Sequence, residues 1–179
     1  MRWIAPFCLI APAAFAKTCP PVPDHAARLD EIIAGLQAAE TAADAGLLNQ
    51  QIWAVWTTAP DEQAQALLDE GMRRRDVFDF LGAGDAFDRL VAYCPDYAEG
   101  YNQRAFASYL RQDYDAALID LNRTLEIVPN HIGALSGKAL TLIGLGRHDD
   151  AQQVLRAAVA LNPWLQERHL IVAPKGTDI

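Results

Sequence analysis

The side chains best suited to ligand or nucleophile chemistry are four histidines, His25, His131, His148 and His169, and three cysteines, Cys8, Cys19 and Cys94. A structural or catalytic metal needs several such groups at short, defined spacings. The histidines are scattered and share no such spacing, so neither a metal nor a cofactor is expected. His148-Asp149-Asp150 reads as a polar turn and helix start, with capping as its role. Gly82-x-Gly84 falls inside a helical stretch and lacks the strand–turn–helix setting of a phosphate loop. Gly144-x-Gly146 stands where a turn is needed. Asn122-x-Thr124 fits a glycosylation sequon but lies in mid-helix. No serine or cysteine sits beside an activating base. The chain therefore reads as non-enzymatic, with no catalytic residues.

The cysteines suggest a different chemistry. Met1-Arg2 is a short basic start, Trp3 to Phe15 is apolar, and Ala14-Phe15-Ala16 fits a small-x-small cleavage site. The run is too short to span a bilayer, and Pro6 and Pro12 interrupt it. Residues 1–16 are read as a signal peptide cut after Ala16, which directs the mature chain to the periplasm or outside the cell with no stable membrane span. Acylation of Cys19, as in a lipoprotein, is the alternative, but Lys17-Thr18 does not supply the small residues such processing needs. Cys8 leaves with the leader, and Cys19 and Cys94 remain. An even pair in an oxidising compartment points to one disulfide, against the alternative of two free thiols.

The elements that must position these residues form a repeat. Pro95, Pro129 and Pro163 recur every 34 residues. In step with them run Gly71, Ala105 and Ala139; Ala83, Ala117 and Ala151; and Phe87, Leu121 and Leu155. Several positions holding one period over three copies indicate a helical repeat array. Each unit reads as two helices. In the middle unit Ala98 to Tyr109 is the first helix, Arg111-Gln112-Asp113 the turn and Tyr114 to Ile127 the second helix. Ala117, Leu118, Leu121, Leu125 and Val128 give that second helix an apolar stripe. Small residues let the paired helices approach, and proline ends each unit. A single pair cannot bury its stripe, whereas stacked pairs can.

In its period and in these positions the stretch from residue 64 to 165 resembles the tetratricopeptide repeat family. The units carry Leu67, Gly71, Ala83, Phe87 and Pro95; Tyr101, Ala105, Ala117, Leu121 and Pro129; and Leu135, Ala139, Ala151, Leu155 and Pro163. The resemblance implies an all-α fold, a right-handed superhelical stack of helix–turn–helix repeats. Its units would be 64–97, 98–131 and 132–165. Glu70, Arg104 and Lys138 depart from the family pattern, which places an apolar residue there; their stems are expected to lie along repeat junctions. The first turn, Asp76-Val77-Phe78-Asp79-Phe80, lacks glycine.

The flanks complete the chain. Residues 17–23 form a Pro-rich lead. Residues 24–60 read as a helical hairpin, a cap or a divergent repeat, with Leu29, Ile32, Ile33 and Leu36 on one face. Trp53 and Trp56 share a face of its second helix and are expected to pack on the first repeat, with a partner-binding patch as the lesser reading. Over residues 166–179 a closing helix, running from Trp164 to Val172, and a loose tail are expected.

In the family, first helices line a concave groove that holds an extended peptide or a partner helix. By position the resemblance implies a groove of Leu68, Met72 and Arg75, then Asn102, Phe106 and Tyr109, then Ser136, Leu140 and Ile143. Asn102 would hydrogen-bond a peptide backbone, and Phe106 and Tyr109 would hold an apolar side chain. Most of the basic residues of the family's carboxylate-clamping variant are absent. The groove is either open to a ligand or covered by the chain's own ends or a second copy. A formal charge of −8 disfavours nucleic acid, whose phosphates need positive potential. Arg73-Arg74-Arg75 is the one basic run, and it ends a helix where cations suit the dipole. The expected function is an exported module or scaffold that binds a protein or peptide, with envelope assembly as one setting for it. A self-associating structural protein is the alternative, followed by a small-ligand receptor or enzyme on a helical-repeat scaffold.

Overall fold

The computed structural model describes residues 18–173. Residues 1–17 and 174–179, and the signal-peptide and tail readings made of them, lie outside that range. Among the described residues there are eight α-helices: α1 (Ala26–Ala38), α2 (Ala42–Trp56), α3 (Glu62–Asp76), α4 (Phe80–Tyr93), α5 (Ala98–Leu110), α6 (Tyr114–Ile127), α7 (Ile132–Gly144) and α8 (His148–Leu161). From α3 to α8 each helix packs on its chain neighbour, giving the stacked helix pairs of an α-α solenoid.

Local chemistry sets the helix ends. Asp61, Asp79 and Asp113 accept N-terminal amides of α3, α4 and α6, satisfying donors the helix itself leaves open. The three hairpin turns share one geometry. Phe78, Gln112 and Gly146, each 34 residues from the next, have φ of 64°, 62° and 73°. Beyond each, an amide closes on a carbonyl five residues back: Asp79 on Arg74, Asp113 on Ser108 and Arg147 on Leu142. Only the third turn carries the glycine that this left-handed position favours. The first repeat therefore turns without glycine and holds a strained phenylalanine that is 81% exposed. Phe78→Gly is expected to stabilise the protein by a few tenths to about 1 kcal/mol. A higher urea midpoint at unchanged slope would register this, and a lower midpoint would refute it.

The first repeat also differs inside. Gly71 stands where the later repeats have Ala105 and Ala139, and Phe87 where they have Leu121 and Leu155. A Cβ on Gly71 would lie 2.3 Å from the Phe87 ring. The larger ring thus takes the space of the missing methyl, at constant volume. Gly71→Ala is expected to cost about 1–3 kcal/mol through overpacking. Gly71→Ala/Phe87→Leu should recover most of that loss, and purely additive effects in denaturant melts would refute the pairing.

The positions that depart from the apolar pattern bind helices together by charge. Arg104 of α5 donates to Asp120 of α6 at 2.6 and 2.7 Å and to Asp88 of α4 at 2.7 Å. Asp120 is buried, and its hydrogen bonds hold the Arg104 guanidinium above its usual range. Glu70 of α3 pairs with Arg89 of α4 and with Arg74 of its own helix. These side chains do more than lay their stems along the junctions.

The N-terminal hairpin is the main departure from expectation. It does not pack ahead of α3 as a further repeat. It folds back onto the far end of the array, where Leu29, Ile32, Ile33, Leu36 and Ile52 bury with Ile132 against Leu161, Trp164 and Leu165. Gln37 donates to the Ala160 carbonyl at 2.8 Å, Trp164 Nε1 to the Ala39 carbonyl at 3.3 Å and Asn162 to Asn49 at 3.0 Å. Trp56 accordingly packs on repeats two and three, with its ring 3.9 Å from that of His131. The expected closing helix from Trp164 to Val172 is only a short 3-10 turn, Gln166–Leu170. The last repeat still needs its apolar edge covered, and the hairpin stripe supplies that cover. The lead is held at the other end of the stack. Cys19 and Cys94 are bonded, with Cα atoms 5.2 Å apart, and Cys19, Val22 and Ala59 pack on the cluster that contains Leu68 and Phe87.

Candidate partner-binding groove

The helical period of α5 puts Asn102, Phe106 and Tyr109 on one face, and α7 offers Ser136 and Leu140 across from them. Between these faces lies an open cavity of about 340 Å³, which these five residues line together with Gln103, Gly137, Thr141 and others. Its room comes partly from α7. Gly133 and Gly137, one turn apart, stand at the repeat positions of Glu99 and Gln103 and carry no side chain toward the space. Phe106 is 43% exposed, an apolar ring presented to whatever enters.

Five of the nine groove positions implied by the resemblance therefore come together here. The others go elsewhere. Leu68 is fully buried in the first-repeat core and is not a groove residue; the lead and Ala59 pack on that cluster, so its helix face is used internally. Met72 packs at the margin of the same cluster. Arg75 is not a free groove cation. It donates to Gln103 and Asp76, and its guanidinium lies 5.2 Å over the Phe106 ring. Ile143 is not part of the cavity lining.

Three lining residues come from outside α5, α6 and α7. Trp53 of α2, 41% exposed, forms one wall, and Leu165 and Glu167 form another. Sequence spacing paired Trp53 with Trp56 on a helix face. It carried no signal that the hairpin would fold across the array and bring Trp53 beside Phe106.

Beneath the groove runs a buried polar network. Glu99, 2% exposed, accepts from both its helix neighbours: Asn102 Nδ2 lies 3.1 Å from each carboxylate oxygen, and Gln103 Nε2 also donates. His131 joins it from α7. Its Nδ1 accepts the Ala134 amide at 3.1 Å, so its proton sits on Nε2, which donates to Glu99 at 2.9 Å. Asn102, expected to hold a partner's backbone, thus spends its amide hydrogens on an internal carboxylate. Nearby, the Tyr97 hydroxyl donates to the Trp56 carbonyl at 2.6 Å, and burial pushes its phenol well above the usual range. Among the described residues no group of three or more His, Cys, Asp or Glu could hold a metal ion. No described helix is long and apolar enough to cross a membrane.

The fold, with its stacked helix pairs and three turns of matching backbone geometry, is that of a helical-repeat solenoid. No family model matches the chain. It is similar to a TPR repeat-containing protein of Rhizobium etli, 28% identical over 82% of this chain and 80% of that protein. Tetratricopeptide repeat protein 36 of mouse is 30% identical over 66% of each chain. Among solved structures, the TPR2B domain of yeast Sti1 in complex with pHsp70 superposes with a TM-score of 0.58 at 24% identity, covering 62% of this chain and 91% of that one. With its 34-residue period, the chain is a tetratricopeptide repeat protein.

Proposed function

We propose that this protein is an exported interaction module that grips a segment of a partner protein in the cavity between α2, α5 and α7. The observation that carries this reading is the open apolar cavity itself, with Phe106 and Trp53 both on its lining and both partly exposed. A similar solenoid, the Sti1 domain, is known in complex with pHsp70, which supports use of the fold for gripping another protein. Non-catalytic action is part of the proposal, as is export, which rests on the leader pattern in residues 1–16 and on the Cys19–Cys94 pair.

A photoreactive residue at position 106, in cells producing the protein, tests the groove. Specific crosslinked partners that disappear from co-purifications with Phe106→Ala/Tyr109→Ala support it, and an identical partner set in wild type and variant counts against it. Intact mass tests export: a mature chain beginning at Lys17 with no free thiol is expected, and an uncut chain with free thiols would end that part.

Self-association is a second reading, favoured by one observation. Val77, Phe78 and Leu81 form an exposed apolar cluster at the first hairpin turn, 66–81% exposed. Light scattering decides it, since a strict monomer at high concentration removes it.

A further inference from the structure

We infer that the groove selects an internal, apolar segment flanked by a basic residue, and not a segment ending in a free carboxylate. The inference rests on the groove reading above and adds the chemistry of the partner.

A groove that clamps a carboxylate needs amide and cationic donors aimed into it. Here those donors are turned inward. Glu99 does not line the cavity, but it takes the amide donors of two residues that do, Asn102 and Gln103, and the Nε2–H of His131. The chain in effect supplies its own carboxylate to the residues that would otherwise bind one. The nearby cations are also engaged. Arg75 bonds Gln103 and Asp76 and lies over Phe106. Arg168 donates to the carbonyl oxygens of Trp164 and Leu165 at 3.0 and 2.9 Å.

What remains for a ligand is an apolar cavity of about 340 Å³ with one carboxylate on its lining and a second held behind Asn102 and Gln103. Glu167 is the one lining residue that bears a formal charge, and the buried Glu99 is hydrogen-bonded to two of the others. An arriving carboxylate would meet two negative groups across a partly desolvated space, where like charges repel more strongly than in water. A Lys or Arg beside an apolar anchor would meet the same groups as attraction. Trp53, Phe106 and Leu140 shape the cavity for the anchor, and Trp53 adds an aromatic ring with which a cation can also interact.

Fluorescence anisotropy on the folded full chain with three labelled peptides tests this. All share a Leu-Leu-Phe centre: one is end-capped and flanked by lysines, one is end-capped and flanked by glutamates, and one ends in a free carboxylate directly after the Phe. The lysine peptide is expected to bind about tenfold or more tighter than either of the others. Glu167→Gln, a change at the groove rim, should shrink that ratio severalfold while leaving the fold intact by circular dichroism. Equal or tighter binding of either carboxylate-bearing peptide overturns the inference, as does an unchanged ratio in Glu167→Gln or no binding of any peptide. If the glutamate peptide binds as tightly as the lysine peptide and Phe106→Ala abolishes that binding, the charge preference falls while the groove reading stands. In-cell crosslinking at position 106 judges the groove reading independently.

Discussion

His131→Ala is expected to lower the unfolding free energy by about 3–5 kcal/mol, because it strands a buried carboxylate. Glu99 is 2% exposed and its donors are Asn102, Gln103 and His131. The histidine is also the link between units, since it begins α7 while Glu99 lies in α5. Three contacts go with the imidazole: the Nε2–H to Glu99, the Nδ1 that caps α7 through the Ala134 amide, and the face stacked on Trp56. The cap alone accounts for about 1 kcal/mol. His131→Asn preserves a capping oxygen and should recover about that much and no more, since asparagine is too short to reach the carboxylate across the repeat junction. His131→Ala/Glu99→Gln should be less damaging than the sum of the single changes, because a neutral amide costs less to leave partly unpaired than an anion. Urea titration of the four proteins supplies the numbers. A loss under about 1 kcal/mol for His131→Ala would mean that the carboxylate finds water and that the network does not join the repeats.

Loss of the Cys19–Cys94 bond is expected to cost about 4.5 kcal/mol in the chain-entropy treatment, because the bond closes a loop with a sequence separation of 75. The position of the bond makes the effect local as well as global. It fastens the lead to the end of α4, and the lead feeds straight into α1. Release lets the chain before α1 diffuse, so the hairpin must hold its place on α7 and α8 by its own contacts. Hydrogen exchange should therefore quicken in α1 and α2 more than in α5 and α6 when Cys19→Ser replaces the native chain. Because α2 carries Trp53 into the groove wall, partner binding should weaken in step. Identical melting midpoints with and without reductant, checked by thiol titration to confirm reduction, would show that the bond contributes nothing.

The repeat itself was open to reading along the chain. Pro95, Pro129 and Pro163, with Ala105 facing Ala117 and Phe87 in step with Leu121 and Leu155, mark helix pairs because each unit solves the same local problem. Helix ends followed for the same reason, since caps and turns involve residues only a few positions apart. The glycine-free first turn was the difficult stretch, and it resolves as the same left-handed turn with Phe78 in the strained place. Repeat position was enough to bring Asn102, Phe106, Tyr109, Ser136 and Leu140 to the lining of one cavity. It failed at Leu68, because the first unit's inner face is claimed by the lead, and at Arg75, whose charge is used by Gln103 and Asp76.

Order along the chain thus dictated the helices, their pairing and the period, since short-range propensity and a recurring apolar stripe are written residue by residue. Which surface the N-terminal hairpin covers was settled only in three dimensions. Its stripe would suit any apolar edge, and the last repeat, left with no more than the Gln166–Leu170 turn after it, offers one at Leu161, Trp164 and Leu165. Hydrophobic burial has no direction of its own, so the choice between the near and the far end of the stack depends on which edge is left bare. That choice carried Trp53 to the wall of the groove, more than 100 positions from Leu165 along the chain.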